Sequence, residues 1–141
     1  MSTRSCLAAS ILFLAPLTAA GQTLDWPASV VCAFSDATIC TPEGCHQAAL
    51  DTLDLPSLIR LDLEQGVMHA VTPEHTGRTS RFEVIDRSET KIVMRGYENG
   101  RAFTGVLGEP GTLALSAAVE GTTFSVFGRC TDLKLIVDAG K

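Results

Sequence analysis

Apolar and polar side chains alternate along the second half of the chain, from residue 80 to residue 130. Five segments show this period of two, and each is bounded by residues that favour turns. The segments are 80–86, 91–97, 101–107, 112–119 and 122–130. The connector Asn99-Gly100 is a strong hairpin signal. Consecutive hairpins predict an antiparallel meander.

The first half is less regular. It predicts a strand at 28–34, a turn at 35–38, and a hairpin of strands 58–63 and 67–71. Residues 46–56 fit a short helix or an irregular loop equally well, and residues 72–77 are expected to form a loop. Trp26 is expected to cover one end of the core, and the tail after Cys130 could add an edge strand.

The alternation also predicts which side chains face inward. The predicted inner face consists of Phe82, Val84, Ile92, Met94, Phe103, Leu107, Leu113, Leu115, Ala117, Phe124 and Val126. About eight short strands at a spacing of roughly ten residues predict an all-β fold, a closed or nearly closed small barrel. A two-layer sandwich is the alternative. Gly96, Gly105 and Gly128 are expected at tight bends of the barrel.

The N-terminus has the layout of a secretory signal peptide. One basic residue precedes an uncharged apolar run that ends in small residues near Ala20. The run is too short to span a bilayer, and no later segment is long and apolar enough to do so. We therefore expect residues 1–20 to be a cleaved signal for Sec-type export and residues 21–141 to form a single β domain. The protein should be periplasmic or extracellular, without membrane insertion after signal removal.

Four cysteines remain after the predicted cleavage. An even number in a small exported domain indicates two disulfides, for which three pairings exist. We favour Cys32–Cys130 with Cys40–Cys45, since the first would join the first and last strands and the second would close a four-residue turn. The closest alternative is Cys32–Cys40 with Cys45–Cys130.

Net charge excludes some partners. The mature chain carries 10 basic and 16 acidic residues, a net charge of −6. An acidic surface argues against nucleic acid and anionic lipid as partners. Six basic residues nevertheless fall within 24 positions: Arg78, Arg81, Arg87, Lys91, Arg95 and Arg101. They could receive an anionic ligand, although pairing with neighbouring glutamates is the more ordinary outcome.

One motif suggests covalent haem attachment. The string Cys40-Thr-Pro-Glu-Gly-Cys45-His46 has two cysteines followed by histidine, but with four intervening residues where two are usual. A plain disulfide is the preferred interpretation, and no cofactor is predicted.

Metal and catalytic motifs are weaker still. No known zinc spacing is matched by the histidines His46, His69 and His75. Together with Met68 and Met94 they could form a copper site of histidine and methionine ligands only if the fold brings them together. No Cys-x-x-Cys, nucleophile elbow or phosphate loop occurs in the sequence. We therefore predict no metal, no catalytic residue and no enzymatic activity.

The layout of signal peptide, meander and late cysteine resembles the small exported barrels that inhibit C-type lysozymes. The paired signatures of that family, Ser-Gly-x-x-Tyr and Tyr-x-x-x-Lys-Gly, are absent here, where Tyr97 is the sole tyrosine. No residue role is carried over from that family.

The sequence thus predicts a disulfide-stabilised binding module for an unidentified protein partner, which it would contact through residues 35–56 and 72–79. The alternative is a carrier of a small apolar or haem-like ligand inside the barrel. Arg81, Arg95, Arg101 and His75 are the candidate contact residues.

Overall fold

Nine antiparallel strands follow one another along the chain in a computed structural model that describes residues 26–132. They are β1 (Ser29–Thr41), β2 (Gly44–Ala48), β3 (Leu58–Asp62), β4 (Val67–Ala70), β5 (Thr79–Arg87), β6 (Lys91–Glu98), β7 (Arg101–Gly108), β8 (Thr112–Val119) and β9 (Thr122–Asp132). Two short 3-10 helices occupy Asp51–Leu53 and Pro73–His75.

Eight of these strands close into a barrel. Each strand from β3 to β8 pairs with the one that follows it, and β1 pairs with β3 on one side and β9 on the other. The predicted closed meander is therefore confirmed, and closure leaves no free edge within the ring. β2 lies outside the ring as a hairpin on the end of β1.

The connections divide between the two ends of the barrel. We call the end that carries the connections 49–57, 71–78, 99–100 and 120–121 the mouth, and the opposite end the base. Because both segments proposed as contact loops, 35–56 and 72–79, run to the mouth, the topology gathers them at one end.

Strand β1 is longer than predicted, and the expected turn at residues 35–38 was wrong. The register of β1 against β9 shifts between Phe34 and Asp36, which leaves Ser35 as the extra residue of a β-bulge. Phe34 and Ala37 are therefore both buried although they lie three positions apart. The polar residues of this segment face outward on a continuous strand instead of ending it.

A second bulge helps to close the base. The register of β5 against β6 shifts between Val84 and Asp86, and beyond the shift the Nη2 of Arg87 donates to the Leu63 carbonyl at 3.1 Å.

The indole N–H of Trp26 donates to the Ser88 carbonyl at 2.8 Å, and the ring packs against the core. The predicted covering role of Trp26 is confirmed.

The core follows the predicted alternation. Every residue assigned to the inner face is buried or half-buried. The most deeply enclosed side chains include Ile59, Leu61, Ile92, Met94 and Leu107, each with no solvent exposure.

The three internal glycines make room for large side chains. A methyl group at Gly96 would clash with Phe103, and one at Gly105 with Leu115. Gly128 lies similarly close to the ring of Phe34. None of the three has a positive φ, so the close approach of these neighbouring atoms, and not a left-handed backbone, requires glycine there.

Both favoured disulfides are present. Cys32 lies opposite Cys130 on β1 and β9, and Cys40 lies opposite Cys45 in the β1–β2 hairpin. The first bridge fastens the strands that close the barrel. Two disulfides in a chain of this size indicate an oxidising, extracytoplasmic environment.

The remaining predictions concern the connections and termini. Residues 46–56 include the short helix that was one of the two alternatives, a 3-10 helix at Asp51–Leu53, whereas β2 extends to Ala48 and was not predicted. Within residues 26–132, no helix is long and apolar enough to cross a membrane. The predicted signal peptide and most of the predicted tail strand lie outside the described residues.

Candidate functional site

A cavity of about 90 Å³ opens at the mouth of the barrel. Inward-facing residues of the strands form its walls, among them Phe34, Ile59, Phe103, Leu115, Ala117, Phe124 and Val126. The connection after β2 adds Leu53, Leu55 and Pro56 along one side. Since these groups are hydrocarbon, the cavity offers an apolar site for a small molecule or group.

The rim of the cavity contains a paired set of charges. The Nε of Arg78 donates to the Glu98 carboxylate at 2.7 Å. The Nη1 of Arg78 also donates to the backbone carbonyl of Asp54 and lies 3.2 Å from its carboxylate. Arg78 thus ties the connection 49–57 to the β6–β7 hairpin across the mouth.

His75 extends this network. Its Nε2 lies 3.1 Å from the Asp54 carboxylate, and its Nδ1 lies 3.1 Å from the Thr72 hydroxyl. The imidazole therefore holds the connections 49–57 and 71–78 together. Through these contacts His75 links two connections beside the mouth.

Arg101 is arranged differently. Its guanidinium carbon lies 5.3 Å from the centre of the Phe124 ring, and both side chains line the cavity. The described part of the chain contains no ion pair of Arg101, because the neighbouring Glu98 is paired with Arg78. Arg101 therefore brings a guanidinium without an ion pair to the edge of an apolar cavity.

Ser80 contributes a polar group to the wall. It is 7 % exposed, the buried polar residue of the described core, and it lines the cavity. Its hydroxyl makes no hydrogen bond to any other residue in the range 26–132. Sequence analysis did not single out Ser80, although its inward position follows from its alternation with Phe82 and Val84.

The other predicted contact residues lie on the outer wall. Arg95 pairs with Glu83 at 2.9 Å, and Lys91 lies 3.6 Å from Asp86. Arg81 is exposed on β5, where its side chain has no ion pair with another described residue. The basic cluster thus does not converge on one site, because alternation and pairing distribute it over the barrel.

The fold separates the residues considered for metal binding. Met68 lines the cavity, whereas the next residue, His69, faces the opposite side of β4. Met94 is fully buried in the core. Among residues 26–132, no three His, Cys, Asp or Glu side chains are grouped so that they could hold a metal ion.

The C-x4-C-H string forms a hairpin turn. Both of its sulfurs belong to the Cys40–Cys45 disulfide, so neither is a thiol available for a thioether bond. Next to the bridge, the Thr41 hydroxyl donates to the Glu43 carboxylate at 2.7 Å. This hydrogen bond, together with one from the glutamate's own backbone, lowers the pKa of Glu43.

Strand β2 has a neighbour on one side only. It pairs with β1, and its other edge pairs with no strand of the described domain. Its residues from Gly44 to Gln47 are exposed. Backbone groups of successive residues point alternately toward and away from an antiparallel partner, so part of the β2 backbone faces outward.

Comparisons were made with protein-family models, with curated proteins and with solved structures. None of them finds a match. The geometry of the mouth therefore carries the functional argument.

Proposed function

We propose that this protein is a binding module, without catalytic activity of its own, that takes up a small apolar ligand in the mouth cavity. The observation that carries the proposal is the open cavity of about 90 Å³ between the apolar walls and the rim. An eight-stranded barrel whose interior is otherwise filled has room for one small ligand at most.

The cavity volume limits the ligand. One water occupies about 30 Å³ of liquid, so the cavity matches about three waters or a short hydrocarbon segment. Burial of a methylene group is worth about 0.8 kcal/mol. Three of them fit the volume and give about 2.4 kcal/mol, which corresponds to a dissociation constant of roughly 20 mM. A haem is far larger than this cavity, so the proposal does not extend to haem.

Titration with 1-hexanol tests the proposal. Methyl NMR signals of the cavity walls should shift in the wild-type protein with a dissociation constant of roughly 20 mM. Ala117 lines the cavity and Ala118 faces solvent on the same strand. Ala117→Leu should fill the space and abolish the shifts, while Ala118→Leu, the matched control, should leave them unchanged. The absence of wild-type shifts up to saturating hexanol would contradict the proposal.

We further propose that the chain reaches its compartment by Sec-type export with removal of residues 1–20. The disulfides support an oxidising compartment but not a particular route. The intact mass of the exported protein should equal residues 21–141 less four hydrogens. A mass that retains residues 1–20 would contradict cleavage.

A second candidate function is recognition of a protein partner, favoured by the open edge of β2. An extended segment of another protein could add a strand there, as in other cases of β-strand addition. The edge lies within residues 35–56, the segment proposed for partner contact from the sequence. The Cys40–Cys45 bridge would hold the edge in its extended form before binding.

Backbone substitution at Gln47 separates this possibility from side-chain recognition. Cys45 lies opposite its bridged partner, next to the two-residue turn, so we infer that the N–H groups of Cys45 and Gln47 point away from β1. Gln47→Pro removes an outward donor, whereas Gln47→Ala keeps it. A partner bound by wild type and Gln47→Ala but lost with Gln47→Pro would support strand addition. Equal retention by both variants would exclude it.

A further inference from the structure

Two of the three charged side chains that line the mouth cavity are cationic, in a protein that is acidic overall. Three charged side chains line the cavity: Arg78, Glu98 and Arg101. Arg78 and Glu98 neutralise each other at 2.7 Å and are only 20 % and 22 % exposed. Arg78 also lies 3.2 Å from the Asp54 carboxylate, whereas Arg101 has no ion pair with another residue in the range 26–132.

The position of Arg101 leaves its hydrogen-bond donors available. Its guanidinium carbon lies over the Phe124 ring at a cation–π distance, and its five N–H donors make no hydrogen bond to another residue in the range 26–132. The ring also limits the conformations open to the long side chain. A guanidinium held in this way is suited to paired hydrogen bonds with a carboxylate.

Arg101 and Ser80 lie in the same layer of the barrel. Arg101 is the first residue of β7 and Ser80 is the second of β5, and both strands meet the mouth at those positions. The unpartnered Ser80 hydroxyl provides another hydrogen-bonding group in the wall. Polar groups thus occur near the opening, whereas the deeper wall is hydrocarbon.

We propose that the mouth cavity selects small apolar monocarboxylates, with the hydrocarbon tail inside the cavity and the carboxylate on the guanidinium of Arg101. This inference rests on the proposed small-ligand function and adds the chemical class of the ligand. The volume of about 90 Å³ holds about three carbons of the tail, and the rest of the chain spans the opening to the head at the rim.

The test compares hexanoate with hexanamide, which has the same tail and no charge. Binding of each is measured by NMR titration of the wild-type protein and of Arg101→Gln. Arg95→Gln is the matched control, because Arg95 lies on the outer wall and is paired with Glu83. Hydrogen bonds to a charged group are worth about 1.5–3 kcal/mol, so hexanoate should bind about 10- to 100-fold more tightly than hexanamide.

Arg101→Gln should remove this preference, so that the two ligands bind with similar affinity, while Arg95→Gln should retain it. Arg101→Lys keeps the charge without the planar fork and should give an intermediate preference. Equal wild-type affinity for hexanoate and hexanamide would overturn the carboxylate inference and leave the small-ligand function intact. Failure of wild type to bind either ligand, or hexanol, would overturn both proposals.

Discussion

The bridge between Cys32 and Cys130 should stabilise the folded protein much more than the bridge between Cys40 and Cys45. Both bridges join residues that face each other on paired strands, so they differ mainly in the length of chain that they close. Their sequence separations are 98 and 5 residues. The loop-entropy model gives about 4.7 kcal/mol for the long loop and about 2 kcal/mol for the short one.

Two double variants isolate one bridge each. Cys40→Ala/Cys45→Ala retains the long bridge, and Cys32→Ala/Cys130→Ala retains the short one. Each variant is unfolded with urea in its oxidised and reduced states. Comparison of one sequence in two redox states matters because Cys32 is fully buried, and its replacement alone alters the packing of the core.

Oxidation should raise the free energy of unfolding by about 4–5 kcal/mol in the first variant and by about 2 kcal/mol in the second. Oxidation should also lower the m value, the slope of the free energy of unfolding against urea concentration, more in the first variant. The reason is that a long cross-link makes the denatured chain more compact. Equal stabilisation by the two bridges, or a larger effect of the short one, would refute the argument from loop length.

Two further predictions concern turns. Gly111 and Gly100 both have positive φ, but only at Gly111 would a methyl group clash with a backbone carbonyl oxygen of β9. Gly100→Ala should therefore lower the free energy of unfolding in urea by about 1 kcal/mol, and Gly111→Ala should lower it by about 2–4 kcal/mol. Equal losses in the two variants would exclude the clash at Gly111. Thr41→Val should raise the pKa of Glu43 toward its ordinary value, measured by NMR titration, because the hydroxyl that lowers it is lost. Ionised Glu43 stabilises the folded protein above the ordinary glutamate pKa, and this stabilisation is lost as the pH falls through the lower pKa that Glu43 has in the folded state. An unchanged pKa of Glu43 in Thr41→Val would contradict this cause.

The sequence by itself determined the fold class and the pairing of the second half. A period of two places every other side chain on one face, so Phe82, Ile92, Leu113 and their counterparts could be assigned to the core without a structure. Turn residues such as Asn99-Gly100 then defined the hairpins. These signals are local, because each depends on residues within a few positions of one another.

Only the tertiary structure decided the bulge at Ser35 and the mouth cavity. The bulge depends on the register between β1 and β9, strands far apart in sequence. The cavity depends on which side chains meet across the barrel: Arg78 pairs with Glu98 and Asp54, and Arg101 lies over Phe124 without an ion pair among the described residues. Six clustered basic residues looked equivalent along the chain, and closure of the barrel distributed them between the mouth, the outer wall and the base.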